Sequence, residues 1–186
     1  ATPASSWRPC LNVTEHGWPR SMAKAPKVQK TNAMRELERE GVPYILHTYE
    51  DDGEEARGLG ESIAAQLGED PGQGFKTLVT VAPSGNHVVC CVPVAEELDF
   101  KAAAKVAGEK SLEMLPTKQL TAVTGYVRGG CSPIGLKRPF PVIFDETCWL
   151  YDAVYISGGR RGIQLEVPVE PLLTCLNALT ADICRR

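Results

Sequence analysis

A lysine near the start of a strongly apolar segment is the first residue of this sequence with an evident chemical use. Lys76 lies in residues 75–82, a segment that predicts a β-strand with apolar side chains on both faces. An ammonium group on such a partly buried surface is costly without a partner, so it suits binding of an anion or a carbonyl oxygen. The alternative is a structural lysine whose aliphatic stem covers the core while its charged end reaches water.

Two glycine-rich segments can supply complementary groups. Residues 129–135 contain three Gly and one Pro and are followed by Lys137 and Arg138, and residues 157–162 enclose Arg160 and Arg161 between glycines. Such loops expose backbone N–H groups that hold an anion or an oxyanion, and the basic side chains suit contact with RNA phosphates. The Gly-Lys-Ser/Thr ending of a phosphate-binding loop is missing. The alternatives are an ordinary turn between strands and a hairpin with solvated arginines, but two such loops in one small domain favour a common site.

The sequence offers no evident catalytic triad. It has neither a Ser-His-Asp order nor a Gly-x-Ser-x-Gly motif. His47 falls within a predicted strand and is better explained as a structural residue. Cys131, inside the first glycine-rich segment, is a candidate nucleophile, but no basic partner is identifiable near it.

The cysteine pattern bears on metal binding and on the cellular compartment. Seven cysteines without a Cys-x-x-Cys pair predict free thiols in a reducing environment. A zinc site built from Cys131, Cys148, Cys175 and a histidine lacks ligand pairs at metal spacing. We therefore expect no metal site.

Composition predicts one ordinary globular domain. The chain has 186 residues, of which 43% are hydrophobic, and a formal net charge of −3, so contact with nucleic acid must rest on local basic patches. No apolar run approaches a membrane span and no signal peptide is evident, which predicts a cytoplasmic protein without a membrane partner. Residues 1–29 are interpreted as a tag, an extension or a flexible arm, and residues 30–186 as the functional domain.

Periodicity predicts the elements that position these residues. Four helices are predicted, one capped by Thr31 or Asn32, one beginning near Leu59, one capped by Asp99 and one capped by Thr117; Pro171 is predicted as the first residue of a last helix. Strands are predicted at residues 44–49, 75–82, 87–92, 142–144, 153–157 and 163–167, the second and third forming a hairpin. Interspersed strands and helices favour an α/β chain of the mixed α+β class rather than a doubly wound parallel sheet.

Five motifs in order carry a resemblance to a known family. They are His47-Thr48-Tyr49-Glu50, Phe75-Lys76-Thr77-Leu78, Thr124-Gly125-Tyr126, residues 129–135 and residues 157–162. Together they resemble the YbaK/prolyl-tRNA-synthetase-associated editing domain family, over most of the chain from Thr31 onward. Their order and spacing are similar to those of its bacterial Cys-tRNA(Pro) deacylases.

The resemblance implies a fold, a reaction and a site. The fold would be a largely closed mixed β-sheet flanked by helices, and the reaction would be hydrolytic removal of a wrongly attached amino acid, most directly cysteine, from the 3′ end of tRNA without a cofactor. Lys76 falls on the family's most important side chain. Substrate-binding positions fall on Tyr49, Thr77, Gly129, Gly130, Ser132, Pro133, Ser157, Gly158 and Gly159. Lys137, Arg138, Arg160 and Arg161 would contact tRNA.

Two positions depart from the cysteine-specific members of the family. Leu59 stands where those members usually carry an aromatic residue, and Gln164 stands where they tend to have Asp. Both departures bear on which amino acid is removed rather than on the reaction.

Two other functions remain open at this point. One is a deacylase for another amino acid, such as Ala or Ser, and the other is a non-catalytic module that binds tRNA ends or a synthetase. Since an acidic chain binds tRNA weakly on its own, prolyl-tRNA synthetase is a further expected partner.

Overall fold

Helices and strands alternate in the computed structural model, which describes residues 28–51 and 59–185. The α-helices are α1 (Asn32–Arg39), α2 (Leu59–Leu67), α3 (Phe100–Ala107), α4 (Thr117–Thr124) and α5 (Val169–Leu176), with a 3₁₀ helix at Glu146–Leu150. The strands are β1 (Ile45–Thr48), β2 (Phe75–Val81), β3 (His87–Pro93), β4 (Glu97–Leu98), β5 (Glu113–Met114), β6 (Val142–Asp145), β7 (Ala153–Ser157), β8 (Ile163–Pro168), β9 (Leu179–Ala181) and β10 (Cys184–Arg185).

The strands form one mixed sheet and two smaller antiparallel sheets. The five-stranded sheet has the order β5-β2-β3-β6-β9, in which β2 and β3 form the predicted hairpin and β6 runs parallel to β3 and β9. The order β1-β8-β7 makes the three-stranded sheet, and β4 pairs with β10. A backbone bridge between Gly74 and Tyr155 joins the first two sheets. The predicted mixed α+β class is confirmed, with its strands divided among sheets.

The main hydrophobic core lies between the five-stranded and three-stranded sheets. Phe75 of β2 and Phe144 of β6 meet there with ring centroids 5.8 Å apart, and α1 and α5 close its sides. A second core fills the other face of the five-stranded sheet beneath α3. Val28 packs against the main core, whereas residues 1–27 of the predicted arm lie outside the described residues.

Two predicted helix caps are confirmed and two helix starts are corrected. The hydroxyl of Thr31 accepts from the Met34 amide at 3.3 Å, and the carboxylate of Asp99 accepts from two amides at the start of α3. Thr117 is instead the first residue of α4, because Pro116 occupies the cap position. The last helix begins at Val169 after Pro168, so the prediction that Pro171 is its first residue is wrong.

Candidate functional site

A cavity of about 540 Å³ lies between α2, the start of β2 and the two glycine-rich loops. Its walls are largely apolar, with Ile63, Val94 and Leu115 among the lining residues. Eight residues that the sequence singled out reach this cavity from separate parts of the chain: Tyr49, Leu59, Lys76, Thr77, Gly129, Cys131, Ser157 and Gln164. A concave, mostly apolar site with a few convergent polar groups is the usual form of a small-molecule pocket.

Lys76 supplies a predicted cation of this cavity wall, which Arg128 also lines. Its Nζ atom donates to the carbonyl oxygen of Val94 at 3.1 Å, which fixes the side chain across the start of the β2–β3 hairpin. Partial burial lowers the pKa of Lys76, and the carboxylates of Glu61, Glu96 and Glu97 act in the opposite direction. The Lys76 ammonium has three N–H groups, and since one is donated to Val94, two are left to donate to a bound molecule.

The two glycine-rich loops touch each other beside the cavity. A methyl group at Gly130 would lie 3.1 Å from the Arg160 Cα atom and 3.1 Å from the Arg161 amide nitrogen, so the backbones are in contact because residue 130 has no side chain. Gly129 lines the cavity with φ at +80°, a conformation that side chains rarely adopt. Ser157 lines it from the other loop, so the predicted common site exists geometrically.

Other predicted residues of these loops support the site without lining the main cavity. Gly158 accepts a 2.6 Å hydrogen bond from Thr31, and the ring of Tyr126 leaves no room for a side chain at Gly159. These contacts tie the second glycine-rich loop to the start of α1 and to the segment after α4. The predicted substrate-binding residues that do not line the main cavity are Gly130, Ser132, Pro133, Gly158 and Gly159.

Ser132 is an unusual member of that group. It is fully buried, and its Oγ atom has no hydrogen-bond partner among the described atoms. A buried hydroxyl without a partner is destabilising, so this position is not optimised for stability alone.

Lys137 and Arg138 lie in a second cavity of about 410 Å³. Lys137 donates to the Ala122 carbonyl at 3.3 Å, and the Arg138 guanidinium lies 5.2 Å from the centre of the Phe140 ring. Both cations are exposed to solvent. The structure therefore separates this basic pair from the cavity that contains Lys76.

The arginines of the second glycine-rich loop differ in their surroundings. Arg160 is exposed, whereas Arg161 is partly buried and forms an ion pair with Asp51 at 2.8 Å. Arg161 thereby connects this loop to the segment that follows β1, next to the cavity residue Tyr49. Arg160 remains the residue of the pair that solvent, and hence RNA, can reach.

A polar network lies behind Gln164 on the three-stranded sheet. With its amide nitrogen facing Glu69, Gln164 donates to both carboxylate oxygens of Glu69 at 3.1 Å. His47 and Glu166 pair at 2.9 Å beside them, and this bond is the main reason that the pKa of His47 is raised. Burial raises the pKa of Glu69 to about 7, with a contribution from the Glu166 carboxylate, whereas His47 and Gln164 lower it.

Sequence reasoning missed several residues of the site. Arg128 and Met114 line the cavity, and Glu69 lies behind it. Arg128 directly precedes the glycine-rich segment, so its position was available as a signal. Met114 belongs to a two-residue strand and Glu69 to the turn after α2, and neither lies in a motif.

Burial determines the protonation state of the Cys131 thiol. The thiol lines the cavity, and burial raises its pKa to about 12, so it is protonated at neutral pH. This argues against Cys131 as the nucleophile.

Among residues 28–51 and 59–185, no group of three or more His, Cys, Asp or Glu side chains is arranged to hold a metal ion. No helix in the same ranges is long and apolar enough to cross a membrane.

Comparison with known sequences gives a consistent result. The profile of the aminoacyl-tRNA editing domain family matches residues 54–175. A protein of Enterococcus faecalis (strain ATCC 700802 / V583) that is named for a proposed Cys-tRNA(Pro)/Cys-tRNA(Cys) deacylase activity is 46% identical over 162 residues. That alignment covers 87% of this chain and 98% of the relative.

Comparison with solved structures supports the fold. A structure described as a proposed trans-editing enzyme for prolyl-tRNA synthetase is similar with a TM-score of 0.73 and 24% identity, over 86% of this chain and all of that one (100%). A hypothetical protein is similar with a TM-score of 0.74 and 22% identity, over 83% of this chain and 100% of its own.

Proposed function

Since this chain belongs to the aminoacyl-tRNA editing domain family, we propose that it hydrolyses the ester joining a wrongly attached cysteine to the 3′-terminal ribose of tRNA(Pro). The observation that carries the proposal is the shared cavity in which Lys76 meets Gly129 of one glycine-rich loop and Ser157 of the other. The name of the Enterococcus faecalis relative supports cysteine as the amino acid.

Lys76 is assigned to the charge that develops during ester cleavage. As attack proceeds, the carbonyl oxygen becomes an oxyanion, and a fixed cation in an apolar cavity stabilises that charge more than water does. The hydrogen bond to Val94 holds the ammonium in place before the substrate arrives. The lowered pKa of Lys76 reflects the same burial that strengthens its field.

The first glycine-rich loop is assigned to the ester carbonyl and the terminal nucleotide. Gly129 presents backbone rather than a side chain to the cavity, so a substrate can approach the chain closely. Gly130 allows this loop to pack directly on the backbone of the second glycine-rich loop, in which Gly158 and Gly159 are also too crowded for a side chain. Ser132 and Pro133 are assigned to the same loop as buried residues.

The substrate's own thiol is the proposed nucleophile. Its sulfur attacks the ester carbonyl, the ribose oxygen leaves and takes up the proton, and water then opens the resulting thiolactone to release cysteine. This route needs no protein nucleophile, in agreement with the protonated state of Cys131. Direct attack by water on the ester is the alternative route.

Selectivity combines this chemistry with the shape of the cavity. Tyr49, Leu59 and Thr77 line the walls and limit the size of the amino acid, while Gln164 adds a polar wall. One methylene group changes binding by only about 1–3 kcal/mol, so size alone discriminates poorly. A thiol that takes part in the reaction excludes Ala and Ser by chemistry.

The remainder of the tRNA would lie across the exposed cations. Lys137, Arg138 and Arg160 are exposed and suit phosphate contacts. Arg161 is already paired with Asp51, so of these four predicted tRNA contacts it has the least charge to offer a phosphate. The net charge of −3 predicts weak binding by this chain alone, which makes prolyl-tRNA synthetase a proposed partner. The reaction would take place where tRNA is charged, in the cytoplasm.

The activity is assigned to the domain at residues 30–186, with the arm outside it. A chain without residues 1–27 retains Val28 and its contacts with the main core. We expect this shorter chain to keep its deacylase activity.

A panel of charged tRNAs tests the proposed function. The purified chain is incubated with tRNA(Pro) carrying Cys, Ala, Ser or Pro, and the remaining ester is measured over time. Release of cysteine supports the proposal, and release of Ala or Ser instead identifies another substrate. Binding of charged tRNA with the ester left intact would establish the non-catalytic module.

A variant tests the role of Cys131. Cys131→Ala is expected to retain the deacylase activity in the same assay, whereas loss of activity in this variant would restore Cys131 as a candidate nucleophile.

A further inference from the structure

One face of the three-stranded sheet is polar where it meets the cavity. His47 of β1 and Ser157 of β7 pair directly with Gln164 of β8, so the three side chains lie on the same face. Glu166 follows two residues later in β8 and therefore lies on that face as well. The turn after α2 brings Glu69 onto it.

Gln164 is the member of this face that is in contact with both the network and the cavity. It lines the cavity wall and is only 8% exposed, while its amide nitrogen donates to both oxygens of Glu69 at 3.1 Å. Two bonds to one carboxylate restrict the rotation of the amide. The orientation of this polar wall therefore depends on Glu69, a residue outside the cavity lining.

The network is acidic as a whole. His47, whose positive charge when protonated lowers the pKa of Glu69, is already paired with Glu166 at 2.9 Å, and its ring meets the Tyr155 ring edge-on with centroids 5.5 Å apart. With Glu69 ionised, the set carries a net negative charge whether or not His47 is protonated. The cavity thus has cationic side chains in its wall at Lys76 and Arg128, and a wall backed by negative charge at Gln164.

An aminoacyl ester has a matching distribution of charge. Its carbonyl oxygen becomes negative during cleavage, and its α-amino group is positive when protonated. We propose that Glu69 is a positioning residue that fixes the Gln164 amide and, with it, recognises the α-ammonium group of the aminoacyl ester. This inference rests on the proposed deacylase function.

The test compares two substrates with two variants. The substrates are cysteinyl-tRNA(Pro) and N-acetyl-cysteinyl-tRNA(Pro), which keeps the thiol and the ester but lacks the ammonium group. The variants are Glu69→Gln, which removes the charge at nearly constant size, and Glu170→Gln, an exposed control on α5. Initial rates are measured at pH 7.5, where Glu69 with its pKa of about 7 is mostly ionised and an α-amino group is still largely protonated, and they give kcat and KM separately for each pair.

The expected result is specific to one substrate. Glu69→Gln should raise KM for the free-amine substrate about tenfold and change kcat little, because it removes the negative charge behind the Gln164 amide and loosens the amide that meets the ammonium group. It should leave KM for the acetylated substrate nearly unchanged, and Glu170→Gln should alter neither. An equal KM rise on both substrates, or an effect on kcat alone, overturns the inference.

Further measurements separate this inference from misfolding of the variant and from failure of the proposed deacylase function. In the wild-type chain, acetylation alone should raise KM about tenfold, and an unchanged KM refutes recognition of the ammonium group without any variant. Glu69→Asp should recover part of the loss if the carboxylate positions Gln164. If the wild-type chain leaves every ester intact, the proposed function fails first, and the panel of charged tRNAs shows this separately.

Discussion

Two cavities in the described part of the chain both carry cations, but in different surroundings. Lys76 is partly buried in largely apolar walls and is fixed to the Val94 carbonyl, and its pKa is lowered by burial. Lys137 and Arg138 border the second cavity as exposed side chains, with Arg138 above the Phe140 ring.

The contrast indicates different tasks for the same charge. A cation in a desolvated cavity acts strongly on one nearby atom, whereas exposed cations attract a polyanion over a longer distance and are screened by salt. The first suits chemistry at the ester, and the second suits placement of the tRNA. Variants at the two places should therefore differ in how much activity they lose, in whether kcat or KM changes, and in how strongly the loss depends on salt.

The largest effect is expected at Lys76. Lys76→Ala should lower kcat/KM for cysteinyl-tRNA(Pro) by about 100-fold or more, as removal of one oxyanion-stabilising group does in other enzymes. The loss should fall mainly on kcat and change little with salt. Lys105→Ala, an exposed lysine on α3, is the matched control. Unchanged turnover by a folded Lys76→Ala chain contradicts the assigned role.

The next effect tests the contact between the glycine-rich loops. Gly130→Ala places a methyl group 3.1 Å from the backbone of Arg160 and Arg161, so one loop must shift. We expect a loss of about 1–3 kcal/mol in the free energy of unfolding, measured by denaturant titration. Gly74→Ala is the control, because its methyl group would meet Val94 at ordinary contact distances of 3.5 Å or more. Equal stability of both variants would show that the loops are not tightly packed.

A smaller effect is expected at the exposed basic pair. The double variant Lys137→Ala/Arg138→Ala should raise KM for charged tRNA about threefold to tenfold at low salt and leave kcat unchanged, since phosphate contacts add binding without chemistry. The difference from wild type should shrink as salt rises. A salt-independent loss, or a loss in kcat, would place these residues closer to the reaction than the second cavity suggests.

The sequence predicted the parts of the fold that local rules control. The turn at residues 83–86 and the alternation around it predicted the β2–β3 hairpin, and Thr31 and Asp99 predicted two helix starts by their capping chemistry. The strands β4, β5, β9 and β10 contain two or three residues each, too few for any period to show. Partners far along the chain decide whether such segments become strands.

For the site, too, the sequence predicted residues with a distinctive local signal and missed those whose role depends on tertiary contacts. Lys76 and the glycine-rich segments have unusual residue types at telling positions, and the structure brings Lys76, Gly129 and Ser157 to one cavity. Glu69 has no such signal, because an acidic residue in a polar turn is ordinary in a sequence. Its importance arises only when tertiary packing places it against Gln164.

The smallest expected effect is on stability and concerns Glu69, the partly buried carboxylate behind the Gln164 wall of the cavity. The pKa of Glu69 is raised from 4.5 to about 7 by burial, so the folded chain holds a proton that the unfolded chain loses between these values. Glu69 therefore costs stability as pH rises through this window, and Glu69→Gln should become more stable than wild type by up to about 1 kcal/mol above pH 7, after screening by solvent. Thermal unfolding at pH 4.5 and pH 8 measures this, with exposed Glu170→Gln as control. A stability difference that does not grow with pH would mean that Glu69 ionises normally, and the negatively charged wall behind Gln164 would then persist throughout the mildly acidic range.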